Sequence, residues 1–353
     1  MNVHTAFPKH PALQGLVRSF MLVGIHQENF ANYEQSLTSA YNGIIISLPL
    51  YGSYSLTDSA SGENTVFRAT AVQGPMSRYV TGGVLPSTSE CGWLGALNIL
   101  FSSTGIHPFL HKPIGYLHEL RDMCVDADQH LRDIELLREQ LQEILSQELR
   151  KALVQNELHQ KSSAPAWIPH SAMDRLVAIA ERFLVRSLGI SASHGITSAT
   201  ARSTAQAEYI CRRLTATHGK LSIDALAGEL GLTTRQILNI MNSVVGVSAK
   251  IFAERERFMY ASQLLQKAVT MAPTQEAQRD TAPENAHKIL SKHIHTAIYR
   301  AGYYDQSHCI RDFQRFAGIT PLEFVRPQYT AFKKFTTAHS YDEEGNEGAV
   351  PKA

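Results

Sequence analysis

The chain has 353 residues, 44% of them hydrophobic and 18% charged, and a formal net charge of +1. That length accommodates two domains with sizeable cores, and no apolar run approaches the roughly 20 residues of a membrane span. The N-terminus, MNVHTAFPKHPALQ, lacks a charged segment followed by an apolar core, and Cys91, Cys124, Cys211 and Cys309 are scattered without CxxC or zinc spacing, so the expectation is a cytoplasmic protein with reduced thiols and no bound metal or cofactor.

From about residue 14 to 101 the sequence favours short strands. Leu16–Val23, Gly43–Leu48, Ser53–Leu56, Asn64–Arg68 and Trp93–Phe101 are rich in β-branched and aromatic residues and are separated by Gly, Pro, Ser and Asn. The pattern predicts an antiparallel sheet or partial barrel. Trp93, Tyr54, Phe67 and Phe101 are candidates to line a ligand-binding concavity, although ordinary core is the preferred reading. His107 and His111, and later His293 and His295, have no carboxylate or cysteine at ligand spacing, so a metal site is disfavoured.

Between about 129 and 160 the period changes to 3.6, with Leu131, Ile134, Leu137, Leu141, Ile144, Leu145 and Leu149 on one side. Two readings stand equally: a dimerisation helix, or a helix packed against the sheet. A loop at 161–166 precedes a helix from about Ser171 to Leu188, ended by Gly189. Ser191 to Ser203, rich in Ser, Thr, Ala and Gly with hardly any apolar period, reads as the interdomain linker. The segment from Ser340 to Gly348 reads as an acidic, disordered tail.

The charge is unevenly placed. Residues 205–335 carry 17 Lys and Arg against 11 Asp and Glu, whereas residues 1–204 carry 15 against 17. The modest positive surplus lies where two helix-turn-helix units are legible, as a phosphate-binding region requires. In the first, a helix at Gln206–His218 is followed by Ser222 as the cap of Ile223–Leu230, Gly231 as the turn, and Thr233 with Gln236 as a capping box opening Thr234–Val244. Ile237, Ile240, Met241 and Val244 face inward by spacing, while Thr234, Arg235, Gln236, Asn239 and Asn242 are assigned to the DNA-facing side. Arg suits guanine, and Asn or Gln suits adenine, in the major groove.

A continuous helix at about Lys250–Ala268 would join the units and hold their recognition helices near one DNA turn apart, about 10 base pairs. In the second unit Gly302 makes the turn, Asp305 caps, and Gln306–Ala317 is the recognition helix, its DNA-facing candidates being Gln306, Ser307, His308, Ile310, Arg311 and Arg315. Thr320-Pro321-Leu322-Glu323 is a capping box with Pro at the first helical position, opening a closing helix.

Ala301-Gly302-Tyr303-x-Asp305-x-Ser307-His308-x-x-Arg311-x-Phe313-x-Arg315-x-x-Gly318-x-Thr320-Pro321 resembles the signature of AraC-type (AraC/XylS) transcription regulators, and the resemblance covers residues 206–327. It implies seven helices forming two helix-turn-helix units, whose recognition helices enter successive major-groove segments on one face of DNA. By matching position it assigns Arg235, Gln236, Asn239, Gln306, Ser307, Ile310 and Arg311 to bases, and Arg315 to phosphate or to domain stability. Residues 14–145, including the Gly74-Pro75-Met76 turn, are more weakly similar to the half-barrel domain that precedes the DNA-binding domain in some bacterial members. Three departures stand out: Cys309 in place of a bulky hydrophobe, Thr296-Ala297-Ile298 in place of the acidic-Ile-Ala order, and a long Val269–Ile289 connection in which Thr281–Glu284 reads as a capping box.

The fold class expected is therefore α+β: an N-terminal antiparallel β-rich partial barrel with helices, then an all-α double helix-turn-helix domain. The expected divisions are a sensor or dimerisation domain at 1–190, a linker at 191–204, a DNA-binding domain at 205–330 and a disordered tail at 336–353. The function expected is that of a sequence-specific transcription regulator, an activator and homodimer, not an enzyme. Its expected partners are double-stranded promoter DNA, RNA polymerase and a small-molecule effector, with no membrane. The rivals are an interaction adaptor with degenerate DNA binding, suggested by the long connection, and a metal-dependent partial-barrel enzyme. Against the enzyme, residues 16–101 contain only His26 and few acids.

Overall fold

The computed structural model describes residues 2–26, 36–38, 43–67, 69–85, 93–110, 115–127, 131, 133–159, 170–191, 198–270 and 294–325. Among the described residues ten strands lie in the N-terminal part: β1 (Asn2–Ala6), β2 (Val17–His26), β3 (Ser36–Thr38), β4 (Ile45–Tyr51), β5 (Ser53–Asp58), β6 (Asn64–Phe67), β7 (Ala71–Gln73), β8 (Val80–Leu85), β9 (Trp93–Phe101) and β10 (Cys124–Asp126). They pair as a six-stranded sheet, β1-β2-β9-β4-β7-β10, and a four-stranded sheet, β3-β8-β5-β6, antiparallel throughout. The five strands expected from sequence are present. The other five are short or rich in small and polar residues, such as VTGGVL in β8, and carry little apolar alternation.

Strand periodicity places Phe20, Leu22, Ile46, Leu48, Leu97, Ile99 and Phe101 on one face of the large sheet, in the main core. Met21, Ile45 and Leu100 lie on the other face. A short helix, α1 (Tyr116–Glu119), follows, and then α2 (Ile134–His159) and α3 (His170–Ser191). The leucine stripe of α2 (Leu137, Leu141, Leu145, Leu149) is buried in the same core as α3's Leu176, Val177, Ala180 and Leu184. Of the two readings of this stripe, the structure shows packing within its own domain. At about 1.5–3 kcal/mol per fully buried aliphatic side chain, that burial is a major stabilising term. Glu181 of α3 also accepts from the backbone N–H groups of Lys9 and His10, at 2.5 and 3.1 Å, anchoring the N-terminal segment.

Two boundaries differ from expectation. The helix α3 runs through Gly189, where an added Cβ would meet open space; glycine permits a helix end without imposing one. The helix α4 starts at Ser198 and runs to Ala216, so half of the Ser/Thr/Ala run is helical. Its Ala content favours helix intrinsically even where no apolar period marks it. Residues 192–197, the 271–293 connection with its capping box, and the chain from 326 onward lie outside the described residues.

The remaining helices are α5 (Ile223–Leu230), α6 (Thr234–Val244), α7 (Ala249–Thr270), α8 (residues 294–300), α9 (Gln306–Ala317) and α10 (Pro321–Phe324). Among the described residues no single helix is long and apolar enough to cross a membrane.

Candidate nucleic-acid interface

The first unit is built from α4, α5 and α6 around Ala207, Ile210, Leu214, Leu226, Ile237, Met241 and Val244. Ser222 accepts from the Ala225 N–H, and Gly231 takes φ 63°, the left-handed turn that its lack of Cβ permits. The Thr233–Gln236 capping box is formed in both directions. Thr234, Arg235, Gln236 and Asn239 are exposed along the N-terminal part of α6, and Leu238 is exposed beside them. Gln236 is partly committed, since its Oε1 accepts from the Thr233 N–H and hydroxyl at 2.8 and 3.0 Å. Asn242 stands apart: it is half-buried, with Oδ1 enclosed and without a hydrogen-bond partner. Ile240 is only partly buried.

The second unit packs α8, α9 and α10 on α7. Ile294, Ala297, Ile298 and Ala301 point inward at helical spacing, so the altered Thr296-Ala297-Ile298 order still supplies an apolar face. Cys309 is fully enclosed among Phe258, Phe313 and Phe316, and burial pushes its thiol up to about 12. Asp305 accepts from the His308 N–H at 2.7 Å, Gly318 ends α9 at φ 69°, and the Thr320–Glu323 box with Pro321 opens α10. Gln306, Ser307 and Arg311 are exposed, whereas His308 and Ile310 are half-buried.

Arg315, which the sequence assigns to phosphate or to domain stability, is engaged within the protein. Its Nε donates to the Ser77 carbonyl and its Nη1 to Glu254 Oε2, both at 2.9 Å, while the guanidinium lies over the Phe316 ring. It joins α9 to α7 and to the N-terminal domain.

That domain meets both α6 and α9 at their C-terminal ends, where the last carbonyls of any helix lack intrahelical partners. The Gly115 N–H donates to Ser243 O of α6 at 2.8 Å, and His107 Nε2 lies 2.5 Å from Val244 O. Since a carbonyl only accepts, that nitrogen carries the proton; burial lowers the His107 pKa, favouring the neutral ring. The Tyr79 N–H donates to Arg315 O of α9 at 2.9 Å. Close approach needs glycine: a Cβ at Gly246 would lie 2.5 Å from Leu117 O, and one at Gly318 would lie 2.7 Å from the Tyr79 ring. His295 is exposed, and His111 and His293 lie outside the described residues. Phe67 and Phe101 are buried, Phe101 within the main core and edge-on to Phe109.

Three residues escaped the sequence reading. Asp312, 6% exposed, lies 3.9 Å from His308 Nε2, and burial, reinforced by Glu254, raises its pKa. Arg257 of α7 donates to Gly219 O at 2.9 Å and lies over the Tyr303 ring. Lys220 donates to Arg300 O at 2.7 Å. The partners of Arg257 and Lys220 are distant in sequence, so no local pattern signals them, whereas His308 and Asp312 stand four residues apart on α9, a spacing that the sequence itself carries.

The geometry defines a two-domain α+β protein: an antiparallel β-rich domain attached to two helix-turn-helix units that share one connecting helix. Among solved structures the chain is similar to a point variant of apo ToxT from Vibrio cholerae, with 13% identity over 87% of this chain and 96% of that chain, at a TM-score of 0.42. It is also similar to Vibrio cholerae ToxT bound to an unsaturated fatty acid, with 11% identity over 87% and 94% of the two chains and a TM-score of 0.36. A third, the AraC-like transcriptional activator CuxR, has 13% identity over 73% and 86% and a TM-score of 0.20. No protein-family model matches the chain, and no curated protein matches it.

Proposed function

We propose that the chain is a sequence-specific DNA-binding transcription regulator of the AraC type. The observation that carries this reading is the pair of capped, amphipathic helices α6 and α9, tied to one connecting helix and each presenting an exposed polar face. Thr234, Arg235 and Asn239 read one major-groove segment, with Gln236 contributing through its amide. Gln306, Ser307 and Arg311 read the next, with His308 and Ile310 at the margin of the face. Arg315 and Asn242 fall outside the base-reading set. Residues 205–330 are the DNA-binding domain and 1–190 the controlling domain, acting on the recognition helices through the contacts at their C-terminal ends and answering to an effector or a second copy. A surplus of six positive charges over residues 205–335 is small for tight binding by one copy, and paired sites would convert a second contact into an intramolecular one.

The test is selection of bound duplexes from a random pool with the full-length protein at low salt, about 50 mM. The expected product is a site with two conserved segments about 10 base pairs apart. Arg235→Ala should relax one segment and Arg311→Ala the other, each costing about 1–3 kcal/mol. A pool that enriches no sequence would sink the proposal.

A further inference from the structure

The turn that follows α4 does more than close the first unit. Gly219 has φ 69°, and its α-carbon approaches α7 so closely that a Cβ would stand 1.9 Å from Ala253 O, which seats the turn on the connecting helix. From that seat Lys220 reaches across to the second unit, where its Nζ donates to the Arg300 carbonyl at the end of α8, 2.7 Å away. The same ammonium lies 5.1 Å from the centre of the Tyr260 ring of α7, and that ring stacks on His218 at 3.8 Å with planes 5° apart. The aliphatic stem of Lys220 lies over Gly302, the turn glycine of the second unit, where an added Cβ would come within 3.0 Å of the Lys220 Cγ. Arg257 of α7 works from the other side. Its Nη2 holds Gly219 O of the first unit at 2.9 Å, while its Nη1 lies 3.5 Å from His308 Nε2 on α9.

These contacts tie together the turn after α4, the connecting helix and the turn before α9. The hydrophobic clusters of the two units are separate, the first ending at Ala253 and the second beginning at Phe258. The stretch of α7 between them is spanned by polar fasteners from residues 218–220 and 257, beside the N-terminal domain's own contacts with the C-terminal ends of α6 and α9. A cation at the C-terminal end of a helix is well placed electrostatically, because it meets carbonyls that the helix leaves unpaired.

We infer that Lys220 is a positioning residue that fixes the rotational offset of α9 relative to α6, and so makes the protein selective for the spacing of its two DNA segments. This rests on the DNA-binding reading above and names a determinant within it. Inserting one base pair between the segments rotates the second by about 35° and moves it about 3.4 Å, a change that a braced pair of units cannot follow.

The experiment takes the selected site, its two segments singly, and versions with one base pair inserted or removed between them, and measures binding by the full-length protein, Lys220→Met and Lys220→Arg. Wild-type binding should weaken about tenfold or more on a one-base-pair change, comparable to a mismatched base pair. Lys220→Met should weaken no more than about threefold on the same change while binding the single segments as the wild type does, because its DNA-facing side chains are intact. Lys220→Arg, which keeps a cationic donor, should restore the strict spacing. A Lys220→Met protein that keeps the tenfold penalty, or that loses affinity for single segments, overturns the inference. A second arm needs no DNA: spin labels on Leu238→Cys and Gln314→Cys report the α6–α9 distance, whose distribution should broaden in Lys220→Met. If no sequence is selected but this distribution broadens, the DNA-binding reading fails and the brace stands. An unchanged distribution removes the brace.

Discussion

Asp312 shows how a residue in the signature's variable positions acquires a physical role. Burial is the main cause that lifts its pKa, Glu254 adds to it, and His308 pulls the other way. A carboxyl raised in this way binds its proton more tightly folded than unfolded, so its contribution to stability is least favourable above the raised value and improves as pH falls through it toward the ordinary carboxylate range. Asp312→Asn, which keeps the shape without the charge, should therefore equal or exceed the wild type in urea unfolding at about pH 7, with the gap shrinking toward about pH 4. A gap independent of pH would mean that Asp312 titrates alike in both states. The caps were legible because they obey a rule of three residues: Thr233 with Gln236, Asp305 with His308, and Thr320 with Glu323. Thr233→Ala should cost about 1 kcal/mol and fray α6, measurable as faster amide exchange at residues 235–237. Arg315, by contrast, carries the residue pattern of a DNA contact, but its partner Ser77 is 238 positions away. No spacing argument reaches that far.

At the level of elements, helices with strong amphipathic faces and local punctuation were legible, and α9 has the bounds its cap and closing glycine predicted. The α2 stripe was ambiguous because a seam for another copy and a face for its own core have the same period; contact with α3 and the sheet settles it, and that contact is tertiary. The 74–79 strap could be seen only as a turn. In the structure Arg78 pins it, donating to both Asp58 oxygens at 2.8 and 2.6 Å and approaching Asp122 at 3.4 Å. The Arg78 hydrogen bond comes first among the causes that hold the Asp58 carboxyl well below the usual carboxylate range, so this pair's contribution is present at neutral pH and is lost as pH falls below the ordinary carboxylate value. Arg78→Ala should cost about 2 kcal/mol at neutral pH and release the strap that holds Arg315. Gly246 tests the other contact. With φ at 83° and Leu117 O close by, Gly246→Ala should part the end of α6 from α1, seen as faster hydrogen exchange over 115–120 while α6's own core amides stay protected. Unchanged exchange at 115–120 would show that the contact does not depend on the close approach.

For the whole molecule, salt dependence of DNA affinity separates charges that meet phosphate from charges spent within the protein. Each phosphate neutralised contributes about −0.9 to the slope of log Kobs against log salt. Arg315 is already held by Ser77 O and Glu254, so its guanidinium is not free to displace a counterion while the domains are in contact. Arg315→Ala should therefore leave the slope unchanged, and alter affinity only through the looser seating of α9 on the N-terminal domain. Arg78→Ala should mimic it, because it slackens the same strap from the far side without touching α9. A slope that falls by about 1 in Arg315→Ala but not in Arg78→Ala would mean that Arg315 leaves Ser77 for a phosphate when DNA arrives. The N-terminal domain would then have to give up its hold on α9 before the second unit could bind, whereas an unchanged slope in both variants makes the clamp part of the DNA-bound protein.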